Sequence, residues 1–503
     1  MLPRAAAPFV LILMCCPALV AQGRAAEAAT FRAGAAVVDI TPREFPISML
    51  GSFSDRQATS AHDPLEVRAI LLDDGRTRIA IAVCDNCVIP RELLDQAKQL
   101  ANEQTGIPTE RILIAATHTH TAPAVVVLSD IPVDSQYTKL LVAGIAEAIA
   151  GAASRLEPAR IGWSVVSVPE EVFNRRWFMK EGAIPPNPFG KVDKVRTNPP
   201  GASADLIRPA GPTDPDVSVL SVQTAAGKPL ALLAKYSLHY VGGIPSGQVS
   251  ADYFGEFARL IHERLAPGSE FVGVLTNGTS GDINNINFRQ PRKRGEPFSQ
   301  IRAVAGRVAE AAEQAYQGIE HREQITLAMA EREISVGVRK PNAEELARAR
   351  AIVAESDDKG LPGLARYYAQ SSVRVSEFPD TVKIKLQALR IGRLGMVTIP
   401  CEVFAEIGLE IKRRSPLQPS FTIQLANGYN GYLPSPEQHA LGGYETWRAT
   451  SSYLEVEASR KITSTLLELL AEVSENAPDD RAESTGSGPK RPSYVMHRTA
   501  SGR

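Results

Sequence analysis

Residues 111–124 read RILIAATHTHTAPA, and the order of these residues frames the reading of the whole chain. Ile112–Ala116 is an unbroken apolar run of strand length, and it leads directly into His118-Thr119-His120. In extended backbone, residues two apart project to one face, so both imidazoles can address a single ion, a common start to a zinc site. Taken alone, the tripeptide is equally well explained by two structural or surface histidines.

Outward from this stretch, strands and helices alternate. Strand-like runs fall at Ala35–Ile40, Leu65–Leu72, Arg78–Cys84, Arg160–Val168, Val217–Gln223, Leu230–Tyr236 and Phe271–Thr276, then at Leu327–Val336, Val382–Ile391, Met396–Ile399 and Phe421–Ala426. Helical periodicity marks Arg91–Gln104, Gln136–Arg155, Phe254–Leu265, Ile301–Gln317, Ala343–Ala369, Val403–Lys412 and Tyr453–Val473. The pattern predicts an α/β protein with mixed β-sheets and flanking helices; length alone suggests two or three domains, with one large domain as the alternative. Residues 175–214, rich in Pro, Asn, Gly and basic side chains, break the alternation and read as a long surface loop near the site.

Composition narrows the function without naming it. In 503 residues, 55 Lys+Arg stand against 56 Asp+Glu, so no basic excess is available for a phosphate backbone and no nucleic-acid partner is expected. Residues 1–28 combine Arg4, an apolar stretch from Pro8 to Val20 and a small-residue run, the layout of a signal peptide. That predicts a secreted or periplasmic protein, with an uncleaved anchor as the alternative. Residues 474–503 carry too little apolar surface to offset ordering entropy and are expected to be a disordered tail. Past the leader the cysteines are Cys84, Cys87 and Cys401. Cys84 and Cys87 close a strand rather than open a helix, so they read as a buried thiol pair or a local disulfide, not a redox motif.

Other segments carry chemistry. The strand Leu230–Tyr236 delivers His239 to Gly242 and Gly243, where backbone or substrate can approach closely. Asp252 heads the following helix, with N-capping its plain explanation. Thr276–Asn285, TNGTSGDINN, either presents backbone N–H groups and Asp282 to a ligand or is an ordinary connection. Glu402, between a strand and a helix, either complements the helix dipole or serves as a carboxylate ligand. Asn427–Trp447 sets Tyr429, Tyr432 and Tyr444 among glycines, a composition suited to shaping a pocket. His62 is a candidate for the same cleft and His439 lies in the Tyr-rich stretch, while His262, His321 and His497 are poorer candidates.

In order, AGAAVVDITP, ATHTHTAPA, LHYVGG, GDINNI, PCEVFAEIG and GYNGYLPSPEQHALGGYETWRATS resemble segments of the neutral/alkaline (non-lysosomal) ceramidase family, from Phe31 to about Val473. The resemblance implies a single large domain over residues 31–473, and with it a zinc-dependent amidohydrolase that cleaves the amide of ceramide to sphingosine and a fatty acid. It implies His118, His239, Glu402 and Tyr432 as zinc ligands, and His120 beside the metal as a hydrogen-bonding or proton-transfer residue. Arg175, Asp282 and Tyr444 match further site positions. The partner so implied is a small-molecule or lipid substrate, with membrane-surface contact where that substrate is a lipid.

Three features depart from the family. Its hexapeptide GDVSPN has a serine and a proline where this chain has Asn284 and Asn285, and asparagine cannot attack a carbonyl. The expected chemistry is therefore attack by zinc-activated water, with His120 or Asp282 handling the proton and Tyr444, Arg175 or Asn284 holding the oxyanion. No counterpart of the immunoglobulin-like domain of the larger family enzymes is expected, and residues 175–214 should reshape the pocket mouth. Three readings stay open: a ceramidase-type amidase, a zinc hydrolase of the same fold acting on another amide, an ester or a carbohydrate-derived compound, and a non-catalytic binding protein.

Overall fold

Ile112–Ala116 is buried along its whole length and forms one edge of an eight-stranded sheet in a computed structural model that describes residues 30–128, 130–292, 295–355 and 360–475. The expected signal peptide lies outside the described residues, as does the expected tail beyond Glu475. From the opposite edge the strand order is Val272–Asn277, Pro229–Tyr236, Asp216–Thr224, Glu157–Ser167, Arg32–Asp39, Glu66–Asp73, Arg78–Cys84 and Ile112–Ala116. The two outermost pairs are parallel and the pairs between them antiparallel.

Twist explains how this sheet builds one site. Each step between neighbouring strands turns by about 20–25°, so the edge strands are rotated by roughly half a turn relative to each other. Strands that run in opposite senses within the sheet thereby bring their C-terminal ends together, and the two edge strands come into contact. The Asn277 side-chain amide donates to the Thr117 carbonyl at 3.3 Å across that junction.

A second sheet of four strands, ordered Leu327–Gly337, Thr381–Ile391, Leu394–Ile399 and Ser420–Gln424, packs face to face on the first. Leu113, Leu233, Val274, Leu389, Met396 and Phe421 share the core between them. Helices Arg91–Thr105 and Ser135–Ser154 cover one half of the large sheet, and Asp252–Leu265 and Ser299–Gln317 the other. Ala405–Arg414 and Ala458–Glu475 cover the small sheet. The result is four layers, helices outside two sheets, each burying one apolar face. No helix among the described residues is long and apolar enough to cross a membrane.

Two expectations need correcting. The single helix expected over Ala343–Ala369 is two, Ala343–Ala354 and Ala365–Ser376. Pro362 lacks the N–H a continuing helix needs, and Leu364 takes φ 63° just before the second helix begins. Residues 175–214 are not a structureless loop, because Arg176–Met179 pairs with both Arg196–Thr197 and Leu206–Pro209 in a small three-stranded sheet.

Gly273 shows how closely the layers meet: a methyl group there would lie 2.4 Å from Ile261 Cγ2 and 3.0 Å from the Ala258 carbonyl oxygen. Gly273→Ala should therefore cost about 1–3 kcal/mol in urea unfolding. An unchanged midpoint would contradict this packing of Asp252–Leu265 on the sheet.

Candidate active site

The strand ends at Ala116, and the two histidines of the tripeptide converge for a reason the sequence does not show. His118 adopts φ 79°, a strained value for a residue with a side chain, so the chain turns rather than continuing extended. Backbone hydrogen bonds hold the turn: Thr117 N–H donates to Cys84 O and His118 N–H to Asn86 O, both at 2.9 Å. Convergence comes from this turn, not from strand alternation.

All three central imidazoles are oriented by carbonyl acceptors. His118 Nδ1 lies 2.8 Å from Cys87 O, His239 Nδ1 3.1 Å from Ser280 O and His120 Nδ1 3.0 Å from Gly51 O. A carbonyl only accepts, so each Nδ1 carries hydrogen and each Nε2 is left with a free lone pair. These lone pairs point at one another. His118 Nε2 is 3.1 Å from both His239 Nε2 and His120 Nε2.

Glu402 completes the group. Its Oε2 is 3.3 Å from His118 Nε2 and 3.6 Å from His239 Nε2. Tyr429 OH donates to its Oε1 at 2.9 Å, while Oε2 is buried without a hydrogen-bond partner. A buried carboxylate oxygen without a donor, facing imidazole lone pairs at such distances, is costly unless a cation lies among them. The donor set suits a borderline metal such as zinc. Burial lowers His118, but Cys87 and Glu402 beside it raise it to about 10, and His118 so charged holds the buried Glu402 carboxyl below its ordinary value: a proton or a metal cation has to sit among these atoms. Burial keeps His120 and His239 well below the usual imidazole range, hence neutral. Cys87, His118 and His120 form a second group with metal-ligating spacing. Cys87 Sγ, however, lies 3.8 Å from His118 Nδ1, the nitrogen that already donates to a carbonyl, so the His118, His239 and Glu402 group is the better metal site. Cys84, Cys87 and Cys401 are all free and buried, which sets aside the local disulfide.

Tyr432 is in register with Glu402, because Glu402–Val403 pairs with Tyr432–Leu433 as parallel strands. Tyr432 OH lies 2.7 Å from Tyr444 OH, which accepts from Arg175 Nη2 at 2.9 Å. Arg175 is buried, fixed by Glu445 Oε1 at 2.9 Å and by Gly281 O at 2.7 Å, with its guanidinium over both tyrosine rings. Glu445 also accepts from Arg176 Nη1 at 2.8 Å. Arg175, Tyr432, Tyr444 and Asn284 line a cavity of about 810 Å³ whose walls include Leu50, Phe53, Val88, Leu364 and Trp447. The small sheet within residues 175–214 supplies Arg196 and Thr197 to the same wall, so the expected nearness of that stretch to the site holds although its irregularity does not.

Asp282 is not brought to the cavity. Its Oδ1 accepts from Ala405 N–H at 2.8 Å at the head of helix Ala405–Arg414, and its Oδ2 from the Asn174 amide at 2.6 Å. It supports the segments that carry Arg175 and Glu402 and is out of place as a proton-transfer group. Burial pushes its carboxyl up to about 6. Asp252 accepts from Tyr253 N–H in the first turn of its helix at 2.7 Å and also from the N–H groups of Val241 and Gly242, so it ties the head of that helix to the turn after His239. His62 stacks on Phe298 and lines a different cavity, and His439 sits in the short helix Pro436–His439, away from the metal group. Sequence reasoning missed three contributors. Tyr429 was visible only as one tyrosine of three. Tyr240 stacks on His120 with ring centroids 3.7 Å apart. Gly51, at φ 107°, leaves no room for a methyl group, which would lie 2.6 Å from His120 Cβ. Tyr429→Phe leaves a second carboxylate oxygen unpaired and should weaken divalent-metal affinity by about ten- to a hundredfold in a chelator competition; an unchanged affinity would remove Tyr429 from this role.

Solved structures share the fold. A crystal structure of neutral ceramidase from Pseudomonas aeruginosa matches with a TM-score of 0.69 at 18% identity, covering 92% of this chain and 77% of that one. A structure of ceramidase complexed with C2 matches with a TM-score of 0.68 at 17% identity, with the same coverage of 92% and 77%. Residues 31–301, more than half of the sequence, match the family described as neutral/alkaline non-lysosomal ceramidase, N-terminal. With the metal group and its cavity on that scaffold, the chain belongs to the neutral/alkaline non-lysosomal ceramidase family.

Proposed function

We propose that the chain is a secreted zinc-dependent hydrolase that cleaves an amide bond, of the type found in ceramide and other N-acyl amphiphiles. The observation that carries this reading is Glu402 Oε2, buried without a hydrogen bond and facing the Nε2 atoms of His118 and His239. It opens onto a cavity whose apolar walls suit an acyl chain. Export is inferred from the signal-peptide layout of the sequence at residues 1–28.

His118, His239 and Glu402 would hold zinc, with Tyr432 in register as a weaker fourth ligand. When bound there, zinc supplies Lewis acidity and an acidified water. His120, neutral and with a free Nε2 beside this group, takes up and returns the proton. Tyr444 OH, backed by Arg175, donates toward the carbonyl oxygen as charge develops. Asn284 gives one amide hydrogen to Asn198 Oδ1 at 2.6 Å, leaving its other hydrogen for the same oxygen. An asparagine there, held by a second asparagine, favours hydrolysis without a serine nucleophile. It also favours the second reading, a substrate other than ceramide itself.

Metal analysis of the purified protein should find about one zinc per chain, lost in His118→Ala and His239→Ala together with hydrolysis. A metal-free protein whose behaviour those variants leave unaltered would make it a binding protein. Assays of ceramide against short N-acyl and ester substrates separate the amide readings. Asn284→Ala should lower kcat by about a hundredfold on the true substrate, and an unchanged kcat would end its assignment to the oxyanion.

A further inference from the structure

The cavity that holds the metal group also carries positive charge that the chemistry above does not use. Arg175 is paired with Glu445, which it shares with Arg176. Arg196 and Arg292 line the same cavity, and among the described residues neither has a carboxylate within ion-pairing distance. Among the described residues, the only hydrogen bond from the Arg196 side chain is a long one, Nη1 to the Ala183 carbonyl at 3.4 Å. Among the described residues two carboxylates line this cavity, and neither pairs with Arg196 or Arg292. Glu402 belongs to the metal group. Asp193 accepts from the Asn187 amide, from Gly443 N–H and from the Trp447 indole at 2.7–3.0 Å.

The cavity wall that carries these arginines mixes apolar side chains, among them Ile184, Pro185 and Val195, with side-chain amides. Asn198, Asn284 and Asn285 line it, and Asn284 is tied to Asn198. This wall is also fixed relative to the reacting centre. Ile283–Asn284 pairs with Phe173–Asn174, the strand that runs into Arg175, and Asn198 N–H donates to Arg175 O at 2.8 Å. Guanidinium groups present forked donors that match the oxygens of carboxylates and phosphates, and side-chain amides add donors of their own.

We propose that Arg196 and Arg292, with the Asn198 side-chain amide, form an anion-binding subsite, and that the natural substrate is an N-acyl amphiphile with a carboxylate or phosphate on its head group. This rests on the hydrolase reading for the word substrate, but the subsite itself can be tested without turnover. A neutral ceramide would leave the half-buried Arg196 without an anionic partner, while Arg292 is exposed.

The test is calorimetric binding of amphiphiles that lack a scissile bond to the metal-loaded full chain. Dodecyl phosphate, dodecyloxyacetate and neutral dodecyloxyethanol share one chain length and differ in head group. At least one anion should bind about tenfold more tightly than the neutral compound, and whichever does so identifies phosphate or carboxylate. The preference should collapse in Arg196→Gln/Arg292→Gln and return in Arg196→Lys/Arg292→Lys. Equal affinities in the unmodified protein would overturn the proposal, as would a preference that survives the glutamine variant, since the anion would then be held by the metal. A preference that follows the arginines, in a protein hydrolysing no N-acyl compound, would sink the hydrolase reading and leave the subsite standing.

Discussion

A carboxylate oxygen and imidazole lone pairs meet in the buried centre of this molecule, and the surrounding architecture keeps them there. Electrostatics alone would drive Glu402 Oε2 and the Nε2 atoms of His118 and His239 apart, or recruit protons to them. Three backbone carbonyls prevent the histidines from turning away by holding their Nδ1 hydrogens. Tyr429 holds the other oxygen of Glu402. On the proposed metal reading these bonds orient the ligands before a cation binds, and preorganisation of this kind is what fixes a ligand geometry.

That centre is assembled from distant parts of the sequence, and buried polar groups tie those parts together. Lys235, four residues before His239, donates to Asp214 at 2.8 Å, and Asp214 also accepts from Lys412 of helix Ala405–Arg414 at 2.7 Å. One carboxylate therefore joins the strand that leads to His239, the helix that follows Glu402, and the end of the segment that lines the cavity. Asp282 repeats the device by joining Asn174 to Ala405. Breaking either junction by removing one partner would leave a buried polar or charged group unpaired, a loss of several kcal/mol for an ion pair. These junctions make the site and the fold interdependent.

Legibility in the sequence followed the length scale of the interaction. Ile112–Ala116 and Arg78–Cys84 are placed as expected because an apolar run of strand length needs only local information. His118, His239 and Glu402 were recognisable because each follows or closes a buried strand within a resemblance that spans the chain. What the sequence could not show was orientation. The positive φ of His118, the orphaned Oε2 of Glu402 and the bond from Tyr429 depend on contacts between residues far apart in the chain. Asp282 illustrates the opposite failure. Its sequence context looked catalytic, yet both its oxygens are spent on supporting neighbours. The split of the helix expected over Ala343–Ala369 was legible in principle, since Pro362 is flanked by Gly360 and Gly363.

Zinc K-edge X-ray absorption on the metal-loaded protein tests the central claim most directly, because it reads the ligand atoms themselves. The account predicts a shell of nitrogen and oxygen only, at about 2.0–2.2 Å, with imidazole scattering from two histidines. A sulfur scatterer at about 2.3 Å would place the ion with Cys87, His118 and His120 instead, and would contradict the assignment of Glu402 as the residue around which this site is built.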